Sequence, residues 1–475
     1  MVTLTGCTSM KLASGFAEPH RPVEAQERII ELDVLRGVAL GGIVLANARQ
    51  LLLPWEVSDY PLAISSPSWL VWLDWSVFHA LIDLKFITLF SILFGIGFAV
   101  QSQRLQSQGA GFTAIYLRRV LILAALGLAH GLLLYPAEVL LPYALAGLVL
   151  LALGRLEPRT LIRVGLVLLG VSMIWGYQIS ATGKVSVVIT LLSALLLVLA
   201  QSLLKHRPWS WLLVAWIVIA IGAGVLLTLP SGPAPPSAAE YEDYVAARAQ
   251  LSSMMQGSMS EAPEEFRVHV QGSFAALLAL HARQYGSVLF FFALVLFWRT
   301  LGIFLIGAGV FRLGLFSGHL GLLDRRLLQI GLVIGLPLTL VATALHARDM
   351  LGVTNRHWPE LLHALSALPM AAGIAGLVFV LQRRGRTRAV WRRIESVGRM
   401  ALTNYVGQSL VLSCLAERWG FGLYGRFDGP QITITALVLY GALAELSYRW
   451  LARFRMGPLE WLWRCGTYGR WLAFR

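Results

Sequence analysis

The sequence predicts an all-α protein, a polytopic bundle of transmembrane helices, and three observations predict it. Of 475 residues, 57% are hydrophobic and only 13% are charged, whereas an average soluble chain carries about 25% charged residues. Apolar runs of about 20 residues, the length a helix needs to cross a bilayer, recur along almost the whole chain. The basic residues concentrate on alternate connections between those runs.

Taken in order, the runs begin near Val34, Trp75, Tyr116, Val139, Thr160, Val185, Trp209, Gly286, Leu327, Glu360, Arg399 and Gln431. At the bilayer length they predict about twelve spans. Glycines fall inside them, as in Leu-Phe-Gly-Ile-Gly at 93–97, which suits close helix packing in lipid. The formal charge is +14, and its placement shows what it is for. With the N-terminus in the cytoplasm and the spans alternating, 28 of the 39 Lys and Arg residues fall on the cytoplasmic side. That is the positive-inside asymmetry of a protein with both termini in the cytoplasm, and it sets nucleic-acid binding aside as the reason for the charge.

Residues 1–28 are polar and predict a disordered cytoplasmic tail. An N-terminal membrane domain follows over 29–230, an extracytoplasmic loop over 231–283, and a C-terminal membrane domain over 284–475. At the spanning length the two domains hold about seven and about five spans. The proline-rich loop with Pro54, Pro61 and Pro67 leads outside. In the large loop, Ala238 to Met255 and a stretch from Pro263 to His281 and Arg283 predict two amphipathic helices over the outer mouth of the bundle. Cys7, Cys414 and Cys465 are too few and too scattered for a disulfide framework. Leu4-Thr5-Gly6-Cys7 resembles a lipoprotein cleavage box, but no charged and apolar leader precedes it.

Ionisable groups inside membrane spans are costly and mark function by default. Asp33 and Arg36 open the first span at its inner end; Asn47 lies eleven residues after Arg36, about 16 Å further along a helix. The second span carries His79, Asp83, Lys85 and Phe86 at its outer end. Four residues apart, His79 and Asp83 share a helix face, so the carboxylate orients the imidazole, as a general base requires. His130 ends the third span, and Glu138 and Tyr143 follow a turn at Pro136. The reading places Asn47, His79, Asp83, Lys85, His130, Glu138 and Tyr143 at one depth. Any one of them alone is equally well an interfacial anchor.

No zinc-protease motif, Walker loop, dinucleotide fingerprint or Gly-x-Ser-x-Gly elbow is present. His79, His130, Asp83 and Glu138 lack a recognised ligand spacing, so no metal is expected. On the inner side Arg312, the stretch Arg383 to Arg399 and Arg449 to Arg455 are accounted for by topology and anionic lipid. Arg299 lies deeper and suits the phosphates of a cytoplasmic cofactor. Glu445 and Arg449, four apart in the last span, neutralise one another. Gly398-Arg399-Met400-Ala401-Leu402-Thr403-Asn404-Tyr405 and Gly457-Pro458-Leu459-Glu460-Trp461-Leu462-Trp463-Arg464 stand out near the C-terminus, with Asn404 and Tyr405 as candidates for substrate binding.

Together with Leu-Asp-Val-Leu-Arg-Gly at 32–37, Asn47 and the His79 to Phe86 motif, these strings resemble the YeiB-like bacterial membrane proteins, with their C-terminal domain of unknown function (number four-eighteen) over about Gly272 to Tyr468. The N-terminal half is distantly similar to heparan-α-glucosaminide N-acetyltransferase and the transmembrane acyltransferase superfamily. That resemblance implies a transmembrane acyltransferase-like fold, with Asp33 and Arg36 matching the opening motif, Asn47 the asparagine and His79 the histidine near the far face. Glu138 stands where the family's Gly-Asp-Ile-Leu string has aspartate.

The function expected is acyl transfer from a cytoplasmic donor such as acyl-CoA to a glycan, sugar or lipid-headgroup acceptor at the outer face of a bacterial inner membrane. His79 with Asp83 acts as base, Asn47 and Lys85 stabilise the oxyanion, His130 and Glu138 complete the catalytic set, Tyr143, Asn404 and Tyr405 contact the acceptor, and Asp33, Arg36 and Arg299 hold the donor. The alternative is a transporter or flippase built on the same buried groups. Expected partners are membrane lipids, the acceptor and a second copy of the chain as a homodimer, with no nucleic acid and no metal.

Overall fold

The computed structural model describes residues 29–53, 68–107, 112–182, 264–314, 320–350, 357–384 and 388–475. The expected tail over 1–28, the proline loop, the spans beginning near Val185 and Trp209 and the Ala238 to Met255 helix lie outside the described residues.

Every described element is helical: α1 (Ile30–Leu52), α2 (Trp69–Leu81), α3 (Lys85–Ser107), α4 (Phe112–Leu133), α5 (Leu140–Leu153), α6 (Pro158–Thr182), α7 (Glu264–Gln271), α8 (Phe274–Phe291), α9 (Phe297–Arg312), α10 (Leu320–Ile330), α11 (Leu336–Met350), α12 (His357–Arg383), α13 (Arg388–Arg399), α14 (Ala401–Ala416), α15 (Gly429–Leu451) and α16 (Pro458–Tyr468). Single π-helical turns, Phe292–Leu296 and Gly331–Gly335, join α8 to α9 and α10 to α11. Trp69–Leu105, Phe112–Leu133, Leu323–Arg348, Pro359–Arg383 and Gly429–Leu451 are long and apolar enough to cross a membrane. Leu121, Val333, Val341, Val438 and Leu446 lie exposed on these segments, an apolar exterior that suits lipid and not water. The protein is an all-α membrane helix bundle.

Small residues set the packing. Gly165 meets Gly302 and Gly309 meets Pro158 across α6 and α9, while Ser172 donates to the Val295 carbonyl at 3.1 Å; the pairing is antiparallel. Gly331 lies against Gly373, and Arg383 pairs with Asp324 at 2.9 Å, so α10–α11 and α12 are antiparallel too. Tyr440 donates to the Gly37 carbonyl at 2.8 Å near one end of α1, and Thr433 meets Arg49 near the other, which sets α15 antiparallel to α1. A side chain at Gly37 would run into the Ile394 carbonyl, and one at Gly398 into the Asp33 carbonyl. The glycines of both motifs therefore let α13 lie directly on α1.

Three elements differ from the sequence reading. The second span is two helices, because the chain breaks at 82–84, where Leu84 adopts φ 59°. Trp69–Leu105 is 37 residues, about 55 Å as one helix against a hydrocarbon core of about 30 Å, so the 23-residue α3 makes the crossing alone. The stretch from Pro263 does not end at Arg283. It breaks at Gly272, Ser273 caps a new helix by accepting from Ala276 N at 3.2 Å, and that helix runs on into α9. Helix α5 has only 14 residues, about 21 Å, so the turn at 134–139 sits inside the bundle and not at its rim.

Candidate functional site

The break between α2 and α3 gathers a group of polar side chains. His79 lies in the last turn of α2, Asp83 in the break and Lys85 at the first position of α3. His363 of α12 closes the cluster: its Nε2 is 2.8 Å from Asp83 Oδ2, while His79 Nδ1 is 3.9 Å from the same oxygen. A carboxylate only accepts, so His363 Nε2 carries the proton. Lys85 Nζ donates to the His79 carbonyl at 2.9 Å and lies 3.0 Å from His363 Nδ1. The ring of His79 stacks on His363 at 4.0 Å and on Trp75 at 5.1 Å, and His346 meets it edge-on at 4.8 Å. The His79 Nε2 atom is buried and has no hydrogen-bond partner among the described residues. Asp83 keeps 38% of its side chain exposed.

Arg299 belongs here and not with the inner arginines. Buried on α9, it donates to Thr88 Oγ1 and to the Leu84 carbonyl, one turn beyond Lys85. Next along α3, Tyr143 and Ser91 share a hydrogen bond of 2.5 Å.

The remaining members of the expected one-depth set form a second group. Asn47 accepts from Tyr135 at 3.3 Å, and Tyr135 also donates to Gln50. The His130 ring lies 5.1 Å from Tyr405 and 6.2 Å from Tyr135, and both its nitrogens lack partners among the described residues. Glu138 closes the N-terminus of α5 by accepting from Leu140 N and Leu141 N, and accepts from the Tyr285 hydroxyl at 2.7 Å. Tyr405 accepts from Val139 N at 3.2 Å. Asn47, His130 and Glu138, expected at the depth of His79, make their described contacts with Tyr135, Tyr405 and Tyr285.

Near the start of α1 Asp33 and Arg36 pair at 2.8 Å. Arg119 lies over the Trp463 ring at 4.0 Å, and Arg36, Arg119 and Arg464 are within electrostatic reach of one another. The two C-terminal motifs form one joint. Glu460 accepts from Leu402 N at 2.7 Å and Thr403 N at 3.0 Å, capping α14. Asn404 is taken up by Ser447 at 2.9 Å and the Val397 carbonyl at 3.3 Å. Glu445 binds Arg449 at 2.8 Å, as expected, and also Arg393 at 2.7 Å.

Two histidine–carboxylate trios have ligand atoms within 4.8 Å of one another: His79, Asp83 and His363, and His269, His281 and Glu417. In the first, the Lys85 ammonium stands beside His363 and opposes a second cation. The sequence reading overlooked His363 and His346, although the rule that found His79, an ionisable residue within an apolar span, applies to His363 equally.

Residues 310–470 match a family described as protein of unknown function (DUF418). Among curated proteins, the chain is 26% identical to the uncharacterised protein YxaH of Bacillus subtilis (strain 168), covering 95% of this chain and 97% of the relative. It is 29% identical to the uncharacterised protein YeiB of Escherichia coli (strain K12), covering 92% and 96%. No solved structure matches.

Proposed function

We propose, from the premise that the chain belongs to the YeiB-like family of membrane proteins, that it is a membrane acyltransferase acting through His79. The observation that carries the reading is the partnerless His79 Nε2 held in place by stacking on His363 and by Asp83. An imidazole with one nitrogen facing a carboxylate and the other free is the arrangement of a general base.

In the step proposed, the acceptor's hydroxyl or amine oxygen or nitrogen attacks the thioester carbonyl while His79 Nε2 takes its proton. The tetrahedral oxyanion forms beside Lys85 and Arg299, whose charges converge at the start of α3. Fixed positive charge aimed at a developing oxyanion is worth about 10²–10³ in rate. Collapse breaks the C–S bond, and the thiolate leaves with the proton from His79. Lys85 keeps the oxyanion role expected of it, Arg299 joins it, and Asn47 belongs to the second polar group. For the phosphates of acyl-CoA the better candidates are Arg36, Arg119 and Arg464, which come from three elements at the inner end. The proposed setting is a bacterial inner membrane with both termini cytoplasmic, the acceptor being a glycan or lipid headgroup outside. The strained Leu84, next to Asp83 and Lys85, fits a hinge that admits it.

The same break favours one second reading, since transporters bind substrates at discontinuous helices. The test is transfer of label from radiolabelled acyl-CoA by purified protein. Transfer that His79→Ala lowers about 10²–10⁴-fold supports the enzyme; folded protein that transfers nothing from several acyl-CoAs, yet moves a solute across vesicles, overturns it. A reporter fused within 231–283 tests the orientation and is expected to be active only outside the cytoplasm.

A further inference from the structure

The second trio lies apart from the acyl-transfer cluster. His269 is on α7, His281 on α8 and Glu417 just beyond α14. All three are buried, Glu417 with 2% of its side chain exposed. His269 Nδ1 is 2.9 Å from the carboxylate, and Tyr424 stacks on the His269 ring at 4.0 Å and holds it. His281 Nδ1 faces the Leu132 carbonyl at 3.2 Å; a carbonyl only accepts, so Nδ1 carries the proton and the Nε2 lone pair is left to ligate. An imidazole fixed through its other N–H by a backbone carbonyl is the outer-shell arrangement of metal-binding histidines.

Charge decides between the two trios. Beside His363 stands the Lys85 ammonium. Next to Glu417 in sequence stands Arg418, and its guanidinium donates to the Gln271 carbonyl. Among the described residues Glu417 has no Lys or Arg partner; His269 Nδ1–H holds it, and a metal ion would take the place of that proton.

We infer that His269, His281 and Glu417 form a binding site for a divalent transition-metal ion, zinc or one of its first-row neighbours. The ligand atoms lie within 4.8 Å of one another; tetrahedral zinc would set them about 3.3 Å apart, opening the 2.9 Å His269–Glu417 contact slightly. Two imidazoles and a carboxylate suit zinc or iron(II) and leave further positions for water. The ion would clamp α7 and the start of α8 to the end of α14, fixing the outer segment that leads into α9.

The test uses the full chain purified in detergent without a polyhistidine tag, incubated with zinc sulfate and freed of excess. Elemental analysis is expected to find one zinc per chain in the wild type and in the His79→Ala/His363→Ala double variant, and less than a tenth of that in Glu417→Gln and His281→Gln. Zinc is expected to raise the thermal unfolding midpoint of the wild type and to leave that of Glu417→Gln unmoved, with monodisperse elution showing that each variant is folded. Wild-type protein that takes up no zinc and shows no thermal shift overturns the proposal. So does zinc retained by both Glu417→Gln and His281→Gln, or lost only from the double variant.

Discussion

Two clusters in this molecule hold the same ligand types, two histidines and one carboxylate, yet their surroundings give them different chemistry. Around Asp83 the carboxylate is 38% exposed and a lysine stands within hydrogen-bonding distance of a ring nitrogen. Around Glu417 the carboxylate is buried and the neighbouring arginine faces elsewhere. Residue identity names the candidates; the nearest fixed charge and the access of water assign the role. One cluster is read as a proton-transfer site and the other as a cation site.

The largest effect that can break this contrast is at Asp83. Asp83→Asn removes the charge that orients His363 and His79, and acyl transfer is expected to fall about 10²–10³-fold, measured as the initial rate at saturating donor. A rate within a factor of a few of wild type would mean that the carboxylate does not position the base. Next is Lys85→Met, which takes away the charge that keeps a cation out. Its metal content, by elemental analysis after zinc incubation, is expected to rise from one to two ions per chain, and a value unchanged at one would show that the ammonium is not what separates the clusters.

These two variants also mark how far the sequence reads. The helical membrane bundle was legible because a run of about 20 apolar residues has one cheap place to go. The break at 82–84 was not, since Leu81, Ile82 and Leu84 keep the run apolar across it. His79, Asp83 and Lys85, near neighbours in sequence, do come together. Partners from distant helices were not legible: Asn47 meets Tyr135, Glu138 meets Tyr285, and Arg299 meets Thr88 at the far end of α9 from Arg312. His363 lies 280 residues from the Asp83 it binds, and nothing local to either residue encodes that meeting. The C-terminal motifs were visible as strings, but their meaning, Glu460 capping the helix that begins at Ala401, needed both ends in space.

A smaller effect tests the capping joint. Glu460→Ala leaves the Leu402 and Thr403 amides without their acceptor and is expected to cost about 1–3 kcal/mol, seen as a lowered thermal midpoint in detergent; an unchanged midpoint would mean that water replaces the cap. Smallest is chelation. EDTA is expected to lower the wild-type midpoint by a few degrees through loss of the bound ion, while acyl transfer changes less than about twofold, the two clusters being separate. A matching collapse of both would show them to be one functional unit.

The most direct measurement is transfer of radiolabel from acetyl-CoA to membrane glycan or lipid by purified wild type and by His79→Gln, with elution profiles confirming that both are folded. Transfer by the wild type and its loss by at least about 10²-fold in the variant is the outcome expected of a base at His79. Equal transfer by the two proteins, or none by the wild type with any acyl-CoA offered, would remove His79 from the chemistry and the acyltransferase reading with it.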